Sequence, residues 1–191
     1  MKPKEARERL FRTSKPYIRP ISILKEDGHF GHDMGVLWAA YLKGSFQNLG
    51  ELTQEVFAEK VIEYLQKFDF AWMCEDVNAK FRDGRGPVGL IVGRFDGWAL
   101  EPHWMPFAWA SARNRLRTAV SFFQMARYEK GVGVLTVYSG EENVTFFHKL
   151  KRRYGVLYYI GKFPRGDHGE DRYIFYARGK DFFKGRRRWA A

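Results

Sequence analysis

The chain has very little cysteine and no long run of apolar residues. Cys74 is the single cysteine among 191 residues, which excludes an intramolecular disulfide and a zinc site built from several cysteines. No stretch approaches the roughly 20 apolar residues that a membrane-spanning helix needs. The first residues are charged where a signal peptide would be apolar. We therefore expect a soluble protein without membrane insertion, cytoplasmic on synthesis.

The positive charge is concentrated at the two ends of the chain. The net charge is +11, of which residues 1–15 carry +4 and residues 179–191 carry another +4. We therefore predict a basic tail over 1–16, a folded domain over 17–178 and a second basic tail over 179–191. The tails would contact DNA or an acidic protein surface, or else serve only as solvated ends. Their basic residues include Lys2, Lys4, Arg7, Arg9, Arg12, Arg186, Arg187 and Arg188.

The folded part alternates between strand and helix patterns. Hydrophobic residues make up 45% of the chain, enough for one domain with its own core. Asp33 is expected to cap the first helix of this domain, Gly44 to end it, and Thr53 to begin the second. Apolar periodicity predicts helices near 33–43, 53–68, 113–130 and 141–154, and strands at 17–24, 70–77, 87–95, 98–109, 132–138, 156–163 and 172–178.

Two polar clusters have residues that could bind a metal ion. Asp27, His29, His32 and Asp33 lie within seven positions, and the segment 167–171 combines three acidic residues with a histidine. Glycine-rich turns favour Asp and His for conformational reasons alone. We therefore predict no metal site.

The order of the predicted elements resembles the GNAT superfamily of acyl-CoA-dependent N-acyltransferases. The best local match is 143–155, where Asn143 precedes an aromatic pair and Gly155 precedes the next strand. This is similar to the family segment in which an asparagine opens a helix. The resemblance covers about 17–178. It implies an α/β fold with a GNAT-like mixed, mostly antiparallel sheet, helices on both faces, and acetyl-CoA as a possible cofactor.

The family's pyrophosphate motif is altered in this chain. Family members have Q/R-x-x-G-x-G/A before the helix that follows the fourth strand, and its glycines let backbone N–H groups approach the diphosphate. Here there is no glycine, and Arg113, Arg115 and Arg117 could hold a diphosphate by charge instead. Alternatively, these arginines form the solvated side of an amphipathic helix. The resemblance implies a cofactor site at Ala110, Ser111, Ala112, Arg113, Asn114, Arg115 and Asn143.

The resemblance also suggests catalytic residues. In the family, a Glu on the fourth strand or a bound water accepts the proton of the amine, and a Tyr on the fourth helix protonates the leaving thiolate. Glu101 and His103 are two positions apart on a predicted strand, so their side chains would share a face. Either residue would serve as the base, although His103 could instead pack among aromatic rings. Phe146-Phe147 has no hydroxyl where the Tyr would be, and His148 is the nearest substitute.

A narrower resemblance points away from catalysis. The segments 109–114 and 153–157 are similar to GNAT-like proteins of tailed phages, including internal virion proteins of the T7-like group. That resemblance implies a degenerate acyl-CoA site in a non-catalytic bacteriophage virion or assembly component, located in the virion, with basic tails that contact DNA or other virion proteins. The alternative is an acetyl-CoA-dependent N-acetyltransferase that transfers an acetyl group to an amine.

Overall fold

Seven strands form one mixed sheet. The computed structural model describes residues 2–12, 14–23, 31–46, 49–81, 84–129, 131–164 and 171–181. In this part of the chain the strands are β1 (Tyr17–Pro20), β2 (Phe70–Phe81), β3 (Gly84–Asp96), β4 (Ala99–Pro106), β5 (Val134–Ser139), β6 (Tyr158–Phe163) and β7 (Arg172–Arg178).

The strand order is β1-β2-β3-β4-β5-β7-β6. The pairs β1/β2, β2/β3, β5/β7 and β6/β7 are antiparallel, and β4/β5 is parallel. The predicted α/β class with a mostly antiparallel sheet is therefore confirmed. Pro20, which has no N–H to donate to a strand ladder, lies in the edge strand β1.

Four of the five described helices, all except α1, lie close to their predicted positions. The described helices are α1 (Pro3–Leu10), α2 (His32–Leu42), α3 (Gln54–Leu65), α4 (Ala112–Ala126) and α5 (Glu141–Lys149), and α5 continues into a π-helical turn, Leu150–Tyr154. Gly44 follows α2 with a φ of 77°, a left-handed conformation that favours glycine. The Thr53 hydroxyl accepts a hydrogen bond from the Val56 N–H at 3.4 Å. Both predicted helix boundaries are confirmed.

Two compact units share these elements. One contains residues 1–15, 95–102 and 119–191, and the other contains 16–94 and 103–118. The second unit has a core formed by α2, α3 and the strands, with Met34, Leu37, Phe57, Leu90 and Phe107 all buried. In the first unit, buried side chains include Val120, Leu135, Leu150, Leu157 and Phe175. Among the described residues, no helix is both long and apolar enough to cross a membrane.

Helix α1 differs from the sequence prediction, which has residues 1–16 as a tail. Pro3 begins the helix, a position where its missing N–H costs nothing. Ala6 is buried, and the Arg7 guanidinium donates to the carbonyl of Tyr154. Gly155 has a φ of 62°, and a Cβ there would lie 3.1 Å from Pro3. Part of the basic segment therefore packs on the fold. The C-terminal arginines 186–188 lie outside the described residues.

Asp33 does not cap α2, contrary to the sequence prediction. Gly31 is the N-cap residue, and the buried Asp33 carboxylate accepts hydrogen bonds from both terminal nitrogens of Arg19, at 2.6 and 2.7 Å. The Ser22 N–H donates to the same carboxylate at 2.7 Å, and Arg19 also contacts Glu75 at 2.8 Å. This network connects β1, α2 and β2.

Burial raises the pKa of Asp33, but the bonds from Arg19 and Ser22 outweigh burial and hold that pKa below its ordinary value of 3.8. A carboxyl group whose pKa is lower in the folded than in the unfolded protein stabilises the fold at pH values above its unfolded pKa. This contribution to the free energy of unfolding is lost as pH falls through the folded-state pKa. We expect Asp33→Asn to lower the free energy of unfolding at pH 7 by about 2 kcal/mol, somewhat less than for a fully buried pair because Arg19 is partly exposed.

Chemical denaturation across pH tests this prediction. The difference between wild type and Asp33→Asn should shrink as pH falls below about 4, the unfolded pKa of aspartate. Glu63→Gln is the matched control, because the ion pair between Glu63 and Lys67 is exposed and its loss should cost less than about 0.5 kcal/mol. A difference between wild type and Asp33→Asn that stays constant with pH would contradict the role assigned to this carboxylate.

Candidate functional site

The connection from β4 to α4 is held to β3 by hydrogen bonds. The buried Phe107 donates its N–H to the carbonyl of Val88 at 2.9 Å. The Trp109 indole N–H donates to the carbonyl of Pro87 at 2.8 Å. Both bonds are accepted by carbonyls of adjacent residues on β3. They hold the connection in a fixed position where it leads into α4.

Ser111 caps the N-terminus of α4. Its hydroxyl oxygen accepts a hydrogen bond from the Asn114 N–H at 3.1 Å, and its hydroxyl donates to the Asn114 side-chain oxygen. The arrangement is related to a capping box, in which the first and fourth residues satisfy each other. Asn114 is 5% exposed, so its side chain is turned into the protein and away from solvent.

Capping leaves backbone donors at the beginning of the helix. The Ser111 cap occupies only the Asn114 N–H. The N–H groups of Ala112 and Arg113 have no partner in the part of the chain that is described. Both residues are exposed. A helix N-terminus with free N–H groups attracts anions, because the helix dipole adds positive charge to them. The start of α4 therefore presents backbone N–H groups of the kind that suit an anion, with the exposed Arg113 side chain beside them.

The three arginines of this helix end have different environments. Arg113 is exposed, whereas Arg115 folds back and donates to the carbonyl of Phe107 at 3.2 Å. Arg117 is fully buried. The expectation that all three hold a diphosphate is wrong for Arg117, and so is the alternative that all three lie on the solvated side of the helix. Arg115 lies about 200° around the helix from Arg113 and from Arg117, so the three side chains cannot all share one face.

Arg117 forms an ion pair with Asp76 on β2. Its Nε donates to Asp76 at 2.7 Å, and both side chains have 0% exposure. Asp76 also accepts bonds from the backbone and side-chain N–H groups of Asn78, at 3.0 and 2.9 Å. Burial raises the pKa of Asp76, but the bonds from Arg117 and Asn78 outweigh it and hold the pKa below its ordinary value. The pair fixes the first part of α4 to the sheet.

Glu101 and His103, the two candidate bases, both lie on β4. Glu101 is half-buried in one of the compact units. His103 is exposed in the other unit, and its ring centroid lies 5.6 Å from that of Phe68. The predicted aromatic contact of His103 is therefore present without burying the imidazole. Neither side chain has an ion-pair partner among the described residues.

Asn143 does not open its helix, although the sequence resemblance implies that it does. Helix α5 begins at Glu141 after Gly140, so Asn143 is the third helical residue and is exposed. His148 is half-buried in a cluster of rings, with centroids 5.3 Å from those of Tyr159 and Phe175. Its Nδ1 is buried without a hydrogen-bond partner. These two candidates belong to a different unit from residues 110–115.

The parallel pairing of β4 with β5 is short, and the sequence gives no sign of this. The register pairs only Ala99 with Val134 and Leu100 with Leu135. Strand β4 continues to Pro106 and β5 to Ser139. Over its later residues β4 is thus not paired with β5, and backbone groups on that edge remain for another partner.

The described residues include no group of three or more His, Cys, Asp or Glu side chains that could hold a metal ion. Of the first sequence cluster, Asp27 and His29 lie outside the described residues, and Asp33 is bound to Arg19. Of the second cluster only Asp171 is described, and it pairs with Lys162.

Comparison with known proteins identifies the fold. No family model and no curated protein matches the chain. Solved structures do match. A spermidine N-acetyltransferase from Vibrio cholerae, in complex with CoA and spermine, has a TM-score of 0.58 at 10% identity over 88% of this chain and 98% of that chain. A ribosomal L7/L12 α-N-protein acetyltransferase, in complex with CoA, has a TM-score of 0.59 at 8% identity over 87% and 96%.

A third structure is a probable acetyltransferase of the GNAT family from Chromobacterium violaceum, with a TM-score of 0.59 at 14% identity over 88% of this chain and 85% of that chain. Such low identities show the fold alone. The chain therefore has the GNAT fold, as the sequence resemblance implies. The comparisons give no support to the phage virion interpretation.

The ion pair between Arg117 and Asp76 yields a test of how α4 is held. We expect Arg117→Met to lower the free energy of unfolding by roughly 3–5 kcal/mol, because it leaves the Asp76 charge buried without its partner. The double variant with Asp76→Asn should lose less than the sum of the single variants, since no unpaired charge remains. Arg113→Met, at an exposed position of the same helix, should change stability by less than about 0.5 kcal/mol. Strictly additive losses in chemical denaturation would contradict a coupled pair.

Proposed function

We propose that the chain is an acyl-CoA-dependent N-acyltransferase that transfers an acetyl group from acetyl-CoA to an amine. The observation that carries the proposal is the beginning of α4, where a capped helix end presents the free N–H groups of Ala112 and Arg113. A diphosphate is the anionic group of CoA that such a helix end suits. The shared fold supports the proposal, because two of the similar acetyltransferases were solved with CoA.

The residues at this helix end fit a diphosphate even though the loop has no glycine. Ala110 and Asn114 are each 5% exposed, so their side chains point away from a ligand at the helix end. Ala112 is exposed and adds a single methyl group. The exposed Arg113 can add a charge-assisted hydrogen bond to a phosphate oxygen. Arg115 contributes mainly to the loop, through the carbonyl of Phe107.

The unpaired edge of β4 suits the other part of the cofactor. The pantetheine arm of CoA contains two amides, and amides bind to strand edges through main-chain hydrogen bonds. Beyond Leu100, β4 is not paired with β5. We infer that this edge would bind the pantetheine arm. Acetyl-CoA supplies the activated thioester carbonyl that an amine attacks.

The proton transfers need a base and an acid from this chain. In this proposal Glu101 or His103 would accept the proton that the amine nitrogen loses as it bonds to the acyl carbon, and His148 would give a proton to the sulfur as the carbon–sulfur bond breaks. His148 has a nitrogen without a hydrogen-bond partner in an aromatic environment. The assignment of all three residues is part of the proposal.

A second function is favoured by two departures from the family pattern. The loop lacks the family glycines, and the aromatic pair Phe146-Phe147 provides no hydroxyl. These departures are expected in a protein that has the fold but no longer catalyses the reaction. A non-catalytic virion or assembly component, with acidic partners for its basic ends, is therefore the second candidate.

Calorimetric titration of the purified chain with acetyl-CoA tests the first proposal. We expect saturable binding, weakened about tenfold by Arg113→Ala, because a charge-assisted hydrogen bond contributes about 1.5 kcal/mol or more. Arg152→Ala is the matched control, since Arg152 is an exposed arginine on the π-helical turn and its removal should leave the affinity unchanged. An absence of binding at millimolar acetyl-CoA would contradict the proposal.

Turnover separates the two functions once binding is known. Release of CoA thiol in the presence of an amine, tested with polyamines and with peptide N-termini, would establish transfer. Of the two variants Glu101→Gln and His103→Gln, the one that removes the base should lower kcat by a larger factor than it raises KM. Binding without any thiol release would favour the non-catalytic candidate.

A further inference from the structure

Two basic segments that are far apart in the sequence pack against each other. Helix α1 lies against the π-helical turn that follows α5. Arg7 donates to the carbonyl of Tyr154, and a Cβ at Gly155 would lie 3.1 Å from Pro3. Residues 1–15 have a net charge of +4, and residues 149–155 have another +4. The packing of α1 therefore brings most of the chain's net charge of +11 together within one compact unit.

Most of the basic residues of these two segments are exposed to solvent. The exposed ones are Lys2, Lys4, Arg9, Arg12, Lys15, Lys149, Arg152 and Arg153. The net charges already include Glu5 and Glu8, and the pair between Lys4 and Glu8 is an exposed one with a separation of 3.9 Å, so it contributes little to stability. A surface of this kind suits a polyanion, because the counterions that are released on contact drive the binding.

A cleft next to this basic surface contains exposed aromatic rings. The residues that line it include Arg7, Arg127, Tyr128, Gly155 and Tyr158, and the described part of the lining contains no Asp or Glu. Tyr128 is 69% exposed and Tyr158 is 45% exposed. The Tyr158 ring is stacked on that of Tyr176, with a centroid distance of 5.1 Å. Tyr128 has no ring contact among the described residues, so its ring is accessible to a flat ligand.

We propose that the exposed basic residues of α1 and of the π-helical turn, together with Arg127 and Tyr128 of the cleft, form a surface that binds single-stranded nucleic acid. This surface is named here the basic face. Its lysines and arginines contact the phosphate groups, and a base stacks on Tyr128, as in other proteins that combine basic grooves with exposed rings. The bases of a duplex are already stacked on each other, which favours a single strand. The proposal is independent of the acetyltransferase function.

Two other kinds of polyanionic partner suit the basic face less well. A helix that lies on an anionic membrane has apolar side chains that enter the lipid beside its basic ones. In α1, however, Ala6 is buried and Leu10 is half-buried. An acidic protein surface would be attracted by the charges alone, and it gives no role to the exposed ring of Tyr128. Nucleic acid is the polyanion that uses both the charges and the ring.

Fluorescence anisotropy with the full chain tests the proposal, and its probe is a labelled oligothymidylate of about 12 nucleotides. An abasic strand of the same length has the same phosphates but no bases, and it should bind about tenfold more weakly because stacking is lost. A duplex of the same length should also bind more weakly than the single strand. The logarithm of the binding constant should fall with the logarithm of salt concentration with a slope of about −2 or steeper, since each phosphate contact contributes about −0.7 for a single strand.

Substitution of Tyr128 tests the stacking. Tyr128→Ala should weaken oligothymidylate binding about tenfold and leave binding of the abasic strand unchanged, whereas Tyr128→Phe should behave like the wild type. Tyr138→Ala is the matched control, because Tyr138 is 50% exposed and does not line the cleft. This control should bind both strands as the wild type does.

Removal of two charges from the π-helical turn tests the phosphate contacts. The double variant Arg152→Ala/Arg153→Ala should weaken binding of both the oligothymidylate and the abasic strand, and it should make the salt slope shallower by about 1.4. The matched control is Lys43→Ala/Lys60→Ala, which removes two exposed positive charges from the other compact unit. It should leave the affinity and the salt slope unchanged.

Four outcomes would overturn the proposal. They are no binding of oligothymidylate at about 50 mM salt, equal binding of the abasic and base-containing strands, equal effects of a variant and its control, and tighter binding to vesicles that contain phosphatidylserine than to oligothymidylate. The third outcome would assign the binding to another part of the chain, and the fourth would assign the basic face to a membrane. Circular dichroism of each variant establishes that it is folded.

Discussion

The buried ion pair between Arg117 and Asp76 is the constraint on which the candidate site depends. Two charges with 0% exposure are costly to remove from water and remain stable only as a well-bonded pair. Asn78 fills the remaining capacity of the Asp76 carboxylate. Because Arg117 lies less than two turns from the start of α4, its ion pair with Asp76 on β2 holds this end of the helix against the sheet. Together with the Ser111 cap, the pair determines where the free N–H groups of Ala112 and Arg113 lie.

The fold could be predicted because its signals are local. Apolar spacing, the Gly44 stop and the Thr53 cap each depend on a few neighbouring residues, and the structure has them where expected. The errors concern partners that are distant in sequence. Arg117 fits neither of its two sequence interpretations, as a diphosphate ligand or as a solvated side chain, because its partner Asp76 is 41 positions earlier. Asp33 looked like a cap because nothing local shows that Arg19 binds it. Helix α1 was missed because charge hides its single buried residue, Ala6.

The candidate site replaces the glycines of the family motif by a different local solution. The motif gives backbone access by removing side chains, whereas here small or inward-turned side chains leave the helix N-terminus accessible. Ala110 and Asn114 are both nearly fully buried. The burial of these side chains and the Ser111 cap produce this difference from the glycine motif, and a sequence motif shows neither of them.

The most direct test of the central claim is a nuclear magnetic resonance titration of the ¹⁵N-labelled chain with CoA, followed at individual backbone amides. If the start of α4 holds the diphosphate, the amide signals of Ala112 and Arg113 shift strongly and saturate together. The capped amide of Asn114 should shift much less, because Ser111 already accepts its hydrogen bond. CoA binding that leaves Ala112 and Arg113 unchanged while other amides shift would contradict the account.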